Sequence, residues 1–141
     1  MTERFVLDCS VAMAWCFADE AGAATDDLRR SLAQGKGALV PGHWPLEVSN
    51  AILVAERRGR VTYAQAVRFL TLLGQLPIET DPETPARSFF AVFPLARESG
   101  LTSYDAAYLE LAVRSGSPLA TLDQKLAAAS RAAGVRVLGN P

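Results

Sequence analysis

The sequence predicts an α/β protein, a three-layer α/β/α sandwich around a central, mostly parallel sheet of about five strands, in a single domain over residues 1–141. Three observations predict it. Short apolar runs alternate with longer helical segments along the whole chain. The first runs are continuously apolar, as strands buried on both faces must be. The chain has 141 residues, half of them hydrophobic and 21% charged, enough for one core and too few for two comfortable ones.

Each element has its own reason. Phe5, Val6 and Leu7 form the first strand and stop at Asp8. A helical stretch follows from Val11 to about Phe17, with Ser10 able to cap it. An Ala-rich amphipathic segment from Ala23 to Ala33 closes at Gly35 and Gly37. Ala38, Leu39 and Val40 read as the second strand, ended by Pro41 and Gly42. Pro45 suits the first turn of a helix that runs to about Arg58, with Gly59 as its stop. Thr62 with Gln65 makes a capping box for a helix to about Leu73. Ile78 to Thr80 reads as a third strand, which Pro77 assigns to an edge. Pro85 opens a helix that ends near Gly100, and Ser103 caps another from Tyr104 to about Arg114, stopped by Gly116. Leu119 to Thr121 form a fourth strand, Asp123 to Ala133 a helix, and Val135 to Leu138 a last, alternating strand. No repeat, low-complexity tract or domain boundary interrupts this order.

Composition excludes several classes. Fourteen Lys and Arg against fifteen Asp and Glu leave a net charge of -1, so bulk charge does not hold nucleic acid here; a local patch must. A single histidine, His43, argues against His-based zinc sites and leaves little for a Ser-His-Asp triad. Cys9 and Cys16 fall on one helix face, which disfavours a disulfide and fits a reducing cytoplasm. The N-terminus shows no secretory h-region, and no apolar run approaches the ~20 residues that span a bilayer.

The chemistry-bearing residues are acids at strand ends. Asp8 ends the first strand, Glu47 lies in the first turn of the helix after the second, Asp123 follows the fourth, and Asp105 sits in the first turn of its own helix. Ligands of parallel α/β sheets bind outside the carboxyl ends of the strands. Each acid also has an ordinary reading, because Asp caps helices and acids suit a first turn. Asp8 resists it most, since Ser10 is available for that job. Clustered carboxylates repel and raise one another's pKa unless a cation neutralises them. All-oxygen donors suit Mg²⁺ or Mn²⁺.

Four segments, FVLDCSVAMAWC, PGHWPLEVSNAIL, LTSYDAAYLELAV and LATLDQKL, resemble in order the four motifs of PIN-domain proteins, and most closely the VapC-like toxic ribonucleases of toxin–antitoxin pairs. The likeness runs from Phe5 to Val137 and no motif acid is missing. It implies a metal-dependent endoribonuclease in which Asp8 is a central ligand of Mg²⁺ or Mn²⁺, Glu47 and Asp105 complete the shell, and Asp123 binds the same ion or a second one. Thr121 is the hydroxyl expected beside the fourth acid. Ser10 is implied to bond a water at the ion, and Asn50, one turn after Glu47, to orient that carboxylate or touch substrate. RNA is the implied substrate, a VapB-like antitoxin the implied partner, and a homodimer the implied assembly. Apolar residues on the two successive helices, Ile52, Leu53, Val54, Val67, Phe69, Leu70 and Leu72, suit that assembly.

Other residues have plainer readings. His43 as a general base ranks below a loop hydrogen bond, and Lys125 as a phosphate contact below an exposed helix lysine. Arg57, Arg58 and Arg60 suit a helix C-terminus before they suit RNA. Trp15, Trp44, Tyr104 and Tyr108 read as packing, with Tyr104 best placed to face the site. Cys9 and Cys16 read as small buried hydrophobes. Two other functions compete with the nuclease. One is a catalytically idle binding module on the same fold. The other is a receiver-like phosphoacceptor, which the lack of an acidic neighbour beside Asp8 disfavours.

Overall fold

The computed structural model describes residues 4–17 and 19–140; residues 1–3, part of the stretch read for a secretory signal, lie outside the described residues, as do Ala18 and Pro141. The elements follow as β1 (Arg4–Leu7), α1 (Cys9–Cys16), α2 (Ala23–Ala33), β2 (Gly37–Val40), α3 (Trp44–Arg57), α4 (Tyr63–Gly74), β3 (Ile78–Thr80), α5 (Thr84–Arg87), a π turn (Ser88–Val92), α6 (Phe93–Ser99), α7 (Ser103–Ser115), β4 (Leu119–Ala120), α8 (Gln124–Ala132) and β5 (Val137–Leu138).

The five strands form one sheet in the order β3-β2-β1-β4-β5, parallel at every pairing. The fold class is the α/β/α sandwich the sequence predicts. Its layers follow from handedness. The chain steps one way from β1 through β2 to β3 and then returns past β1 to β4 and β5. Right-handed crossovers put α1 to α4 on one face and α5 to α8 on the other. The contacts agree: α1 meets α2 and α3, and α3 meets α4, whereas α7 meets α6, α8, β1 and β4. The direction of winding therefore changes between β1 and β4, and such a switch point opens a crevice at the strand ends. Phe5, Val6 and Leu7 are buried in the central strand, while Glu79 and Thr80 of β3 are exposed, as the edge position requires.

Five local expectations need correction. Asp8, and not Ser10, occupies the N-cap position of α1, and it makes no side-chain cap bond; Ser10 lies inside the helix. Thr102, and not Ser103, caps α7, accepting from the Asp105 N–H at 3.1 Å. The helix read from Pro85 to Gly100 runs without a gap from Thr84 to Ser99 but is not uniformly α: it passes through the π turn, where the Phe93 N–H reaches back to the Ser88 carbonyl. The reason is Pro94, whose ring crowds the preceding turn and which has no N–H to give. Thr121 lies past the end of β4. The last strand is shorter than read, because Val135 gives its N–H to Ser130 at the end of α8 and not to the sheet.

A charged network ties α5 and the β3–α5 turn to α7. Arg114 Nη2 donates to Asp81 Oδ2 at 2.6 Å, its Nε to Glu110 Oε1 at 2.8 Å and its Nη1 to Glu83 Oε2 at 3.3 Å. Arg87 also donates to Glu110. Asp81 and Glu110 are both buried. Burial would push the Asp81 carboxyl up, but donors from Arg114, Thr84 and the Glu83 N–H bring it below its usual range.

Candidate active site

The four acids meet around the β1–β4 switch point. Asp8 follows β1, and its N–H donates to the Ala120 carbonyl of β4 at 3.0 Å, which holds the two strand ends together. The residue is buried, 5% exposed. Two hydroxyls converge on one of its oxygens: Ser10 Oγ donates to Oδ2 at 2.6 Å and Thr121 Oγ1 at 2.7 Å. Each hydroxyl is itself fixed by a backbone donor beyond β4, Ser10 by the Leu122 N–H and Thr121 by the Asp123 N–H, both at 3.0 Å. Ser10 and Thr121 therefore support Asp8 directly.

Glu47 comes from the first turn of α3 and Asp105 from the first turn of α7. The Tyr108 hydroxyl donates to Glu47 Oε1. His43 Nε2 lies 3.8 Å from the same oxygen, beyond hydrogen-bond range. Its ring packs against Tyr104 and Tyr108, with centroids 5.8 and 5.5 Å away. Asp123 caps α8, with Oδ1 accepting from the Leu126 N–H at 2.9 Å. The capping reading of Asp123 thus holds for one oxygen. Among the described residues, Oδ1 of Asp8, Oε2 of Glu47 and Oδ2 of Asp123 accept no hydrogen bond from the protein.

The electrostatics are those of acids without counter-ions. Burial pushes Asp8 up to about 6, its two hydroxyl donors oppose that, and the charges of Glu47 and Asp105 add to it. Glu47 is raised by burial, lowered in part by Tyr108 and raised again by Asp105. Asp105 is raised by burial and by Asp123, against Thr102, His43 and Lys125. Burial lowers the His43 pKa and keeps the ring neutral, against a backbone hydrogen bond with Tyr104 and nearby acids. Among the described residues no Arg or Lys forms an ion pair with any of the four acids. Among the described residues, no three His, Cys, Asp or Glu side chains stand together as a finished cation cage. The donors are all oxygens, the kind a hard cation takes.

The remaining candidates differ in where they stand relative to this cluster. Asn50 is exposed, and Glu47 is held by Tyr108 instead. Tyr104 is 68% exposed, whereas Tyr108, read only as packing, is fully buried and bonds an acid. The spacing could have flagged it: Tyr108 follows Asp105 by three residues and shares its helix face. Arg60 pairs with Asp19 and Glu20 and stacks on Phe17 at 4.0 Å, bracing a loop far from the acids in role. Lys125 is exposed. Both cysteines are free, and burial pushes the Cys9 thiol up to about 12.

No protein-family model matches the chain. Individual proteins do. A Pyrobaculum aerophilum protein named Exonuclease VapC9 is 38% identical over 88 residues, 62% of this chain and 62% of its own length. Ribonuclease VapC3 of the same organism is 29% identical over 124 residues, 88% of this chain and 92% of its own. The crystal structure of PAE2754 from Pyrobaculum aerophilum superposes with a TM-score of 0.70 at 27% identity, covering 96% of this chain and 83% of that one. In sheet order and in sequence the chain is similar to these VapC proteins.

Proposed function

We propose that the chain is the toxin of a VapBC-type pair, a Mg²⁺- or Mn²⁺-dependent endoribonuclease, with Asp8, Glu47, Asp105 and Asp123 as the residues that hold the metal. One observation carries the reading. Asp8, Glu47 and Asp123 each give one oxygen to a protein donor and leave the other without one, in a cluster whose members repel one another. Ser10 and Thr121 fix Asp8, Tyr108 fixes Glu47, and the α8 N-terminus fixes Asp123. A divalent ion bound there would activate a water for in-line attack and stabilise charge on the phosphate. The relatives named exonuclease and ribonuclease support hydrolysis of nucleic acid. Cutting within the strand, as opposed to from an end, is our reading.

The test is purified chain with linear and circular RNA, each with Mg²⁺, with Mn²⁺ and with EDTA. Cleavage of both RNAs that needs the ion supports the proposal. Cutting of linear RNA only makes the chain an exonuclease, and undiminished cutting in EDTA removes the metal. The idle-module reading draws on the unfinished cage; it expects no cleavage under any of these conditions. A VapB-like antitoxin covering the acids follows from the motif resemblance, and co-purification with the product of the adjacent upstream gene tests it. A homodimer is supported by Leu53, Val67, Leu70 and Leu72, which stay exposed on α3 and α4. A monomer mass in sedimentation at micromolar concentration refutes it. No helix among the described residues is long and apolar enough to cross a membrane; a cytoplasmic place for the chain remains our expectation.

A further inference from the structure

We propose that Tyr108 is a positioning residue for Glu47: its hydroxyl occupies Oε1, fixes the side chain on the cleft, and leaves Oε2 as the oxygen that a divalent cation takes. The inference rests on the metal reading above and gives a role to a residue outside the four acids. Tyr108 is fully buried and comes from α7, while Glu47 comes from α3, 61 residues earlier. A buried hydroxyl needs an acceptor, and any carbonyl would serve. Here the acceptor is a site carboxylate.

Satisfaction of buried polar atoms does not explain the choice. His43 Nε2 and Trp44 Nε1, close by in sequence to Glu47, are buried with no partner at all. Glu47 is a flexible side chain, one third exposed, and repelled by Asp105. Left alone it would sample several rotamers, and ordering it would weaken cation binding. The phenol removes that loss beforehand. Burial, with Asp8 and Glu47 beside it, drives the phenol pKa far up, so the group stays a donor. Asp105 lies three residues before Tyr108 on the same helix. One rigid element therefore supplies an acid and the clamp for another.

The test compares parent, Tyr108→Phe, Glu47→Ala and the double variant in thermal melts with and without Mn²⁺, and in cleavage at graded Mn²⁺. Tyr108→Phe should need about ten- to hundredfold more Mn²⁺ for half-maximal cleavage, with an unchanged dependence on RNA concentration. Its Mn²⁺-induced rise in melting temperature should shrink. In the Glu47→Ala background the same change should alter neither response further. A parent-like Mn²⁺ response in Tyr108→Phe overturns the inference, and so does an equal loss in the Glu47→Ala background, which would mark plain packing. A parent chain that shows no Mn²⁺ response overturns the metal reading itself, and the inference with it. Should Tyr108→Phe fail to fold, 3-fluorotyrosine in the parent replaces it. Mn²⁺ should broaden the fluorine signal of Tyr108 and leave it sharp in Glu47→Ala; equal broadening in both overturns the proposal.

Discussion

The protein holds two groups of carboxylates, and they differ in what answers their charge. Asp81, Glu83 and Glu110 are met by Arg87 and Arg114, and Asp81 is held below its usual range. Asp8, Glu47, Asp105 and Asp123 are met by hydroxyls and backbone N–H groups, and the first three are raised. Both groups include a nearly buried carboxylate. Burial alone therefore does not leave a carboxylate raised; burial without a paired cation does. The arginine-paired group is closed and structural. The other is an incomplete charge balance, which an external cation would complete.

Four outcomes test this contrast, in descending size. In RNA cleavage, Asp8→Asn should fall further than the about hundredfold loss expected for a supporting residue, and chelation should do the same to the parent; a variant within tenfold of parent removes Asp8 from the centre of the mechanism. In urea unfolding, Arg114→Met should cost about 3–5 kcal/mol, because Asp81 and Glu110 stay buried without their partner. Added Mg²⁺ should not recover that loss. A cost below about 1 kcal/mol would mean that the network is solvated in practice.

The third outcome concerns pH. The folded-state pKa of Asp8, about 6, lies above its ordinary value of 3.8. The folded chain then binds the extra proton, and stability falls as pH rises from about 4 through 6. At neutral pH without metal the penalty is on the order of 3 kcal/mol. Asp8→Asn in EDTA should therefore be more stable than the parent at pH 7 and close to it near pH 4. Asp81 has the opposite sign: its contribution is complete above its ordinary value and is lost as pH falls. Denaturation curves from pH 4 to 7 that run parallel for parent and Asp8→Asn would break the contrast. Smallest is the cap. Asp123→Asn should change metal-free stability by a few tenths of a kcal/mol and Asp123→Ala by about 1 kcal/mol, read from melts. Equal metal responses in parent and Asp123→Asn would leave Asp123 as a cap only.

Much of this was legible in the sequence. Continuous apolar runs with turn residues after them marked β1 and β2, and the α2 bounds and the Thr62–Gln65 box match the structure. Asp8, Glu47 and Asp123 were legible because each lies at a helix start after a strand end, and Asp105 because it lies in a first helical turn. What stayed hidden depends on distant partners. The pairing of residues 81, 87, 110 and 114 has no period in the sequence. Ser10 reads locally as a cap, yet it turns to Asp8 and to the backbone past β4. Tyr104 and Tyr108 look alike as letters, and only packing tells the exposed one from the buried one. Pro94 is visible in the sequence, and its effect is a π turn in place of a helix end.

The hydroxyl from Thr121 reaches Asp8 across 113 residues of sequence. A ribosome releases the chain from the N-terminal end, so β1 emerges early and waits for its second neighbour. Until β4 and the loop after it are out, Asp8 has neither its strand partner nor Thr121, and Ser10 lacks its backbone donor. Contacts of such long separation form late in folding. The growing chain therefore spends most of its synthesis without an assembled acid cluster. If the chain cleaves RNA as proposed, the order of translation would itself keep the nascent chain from acting on the messenger and ribosome that are making it.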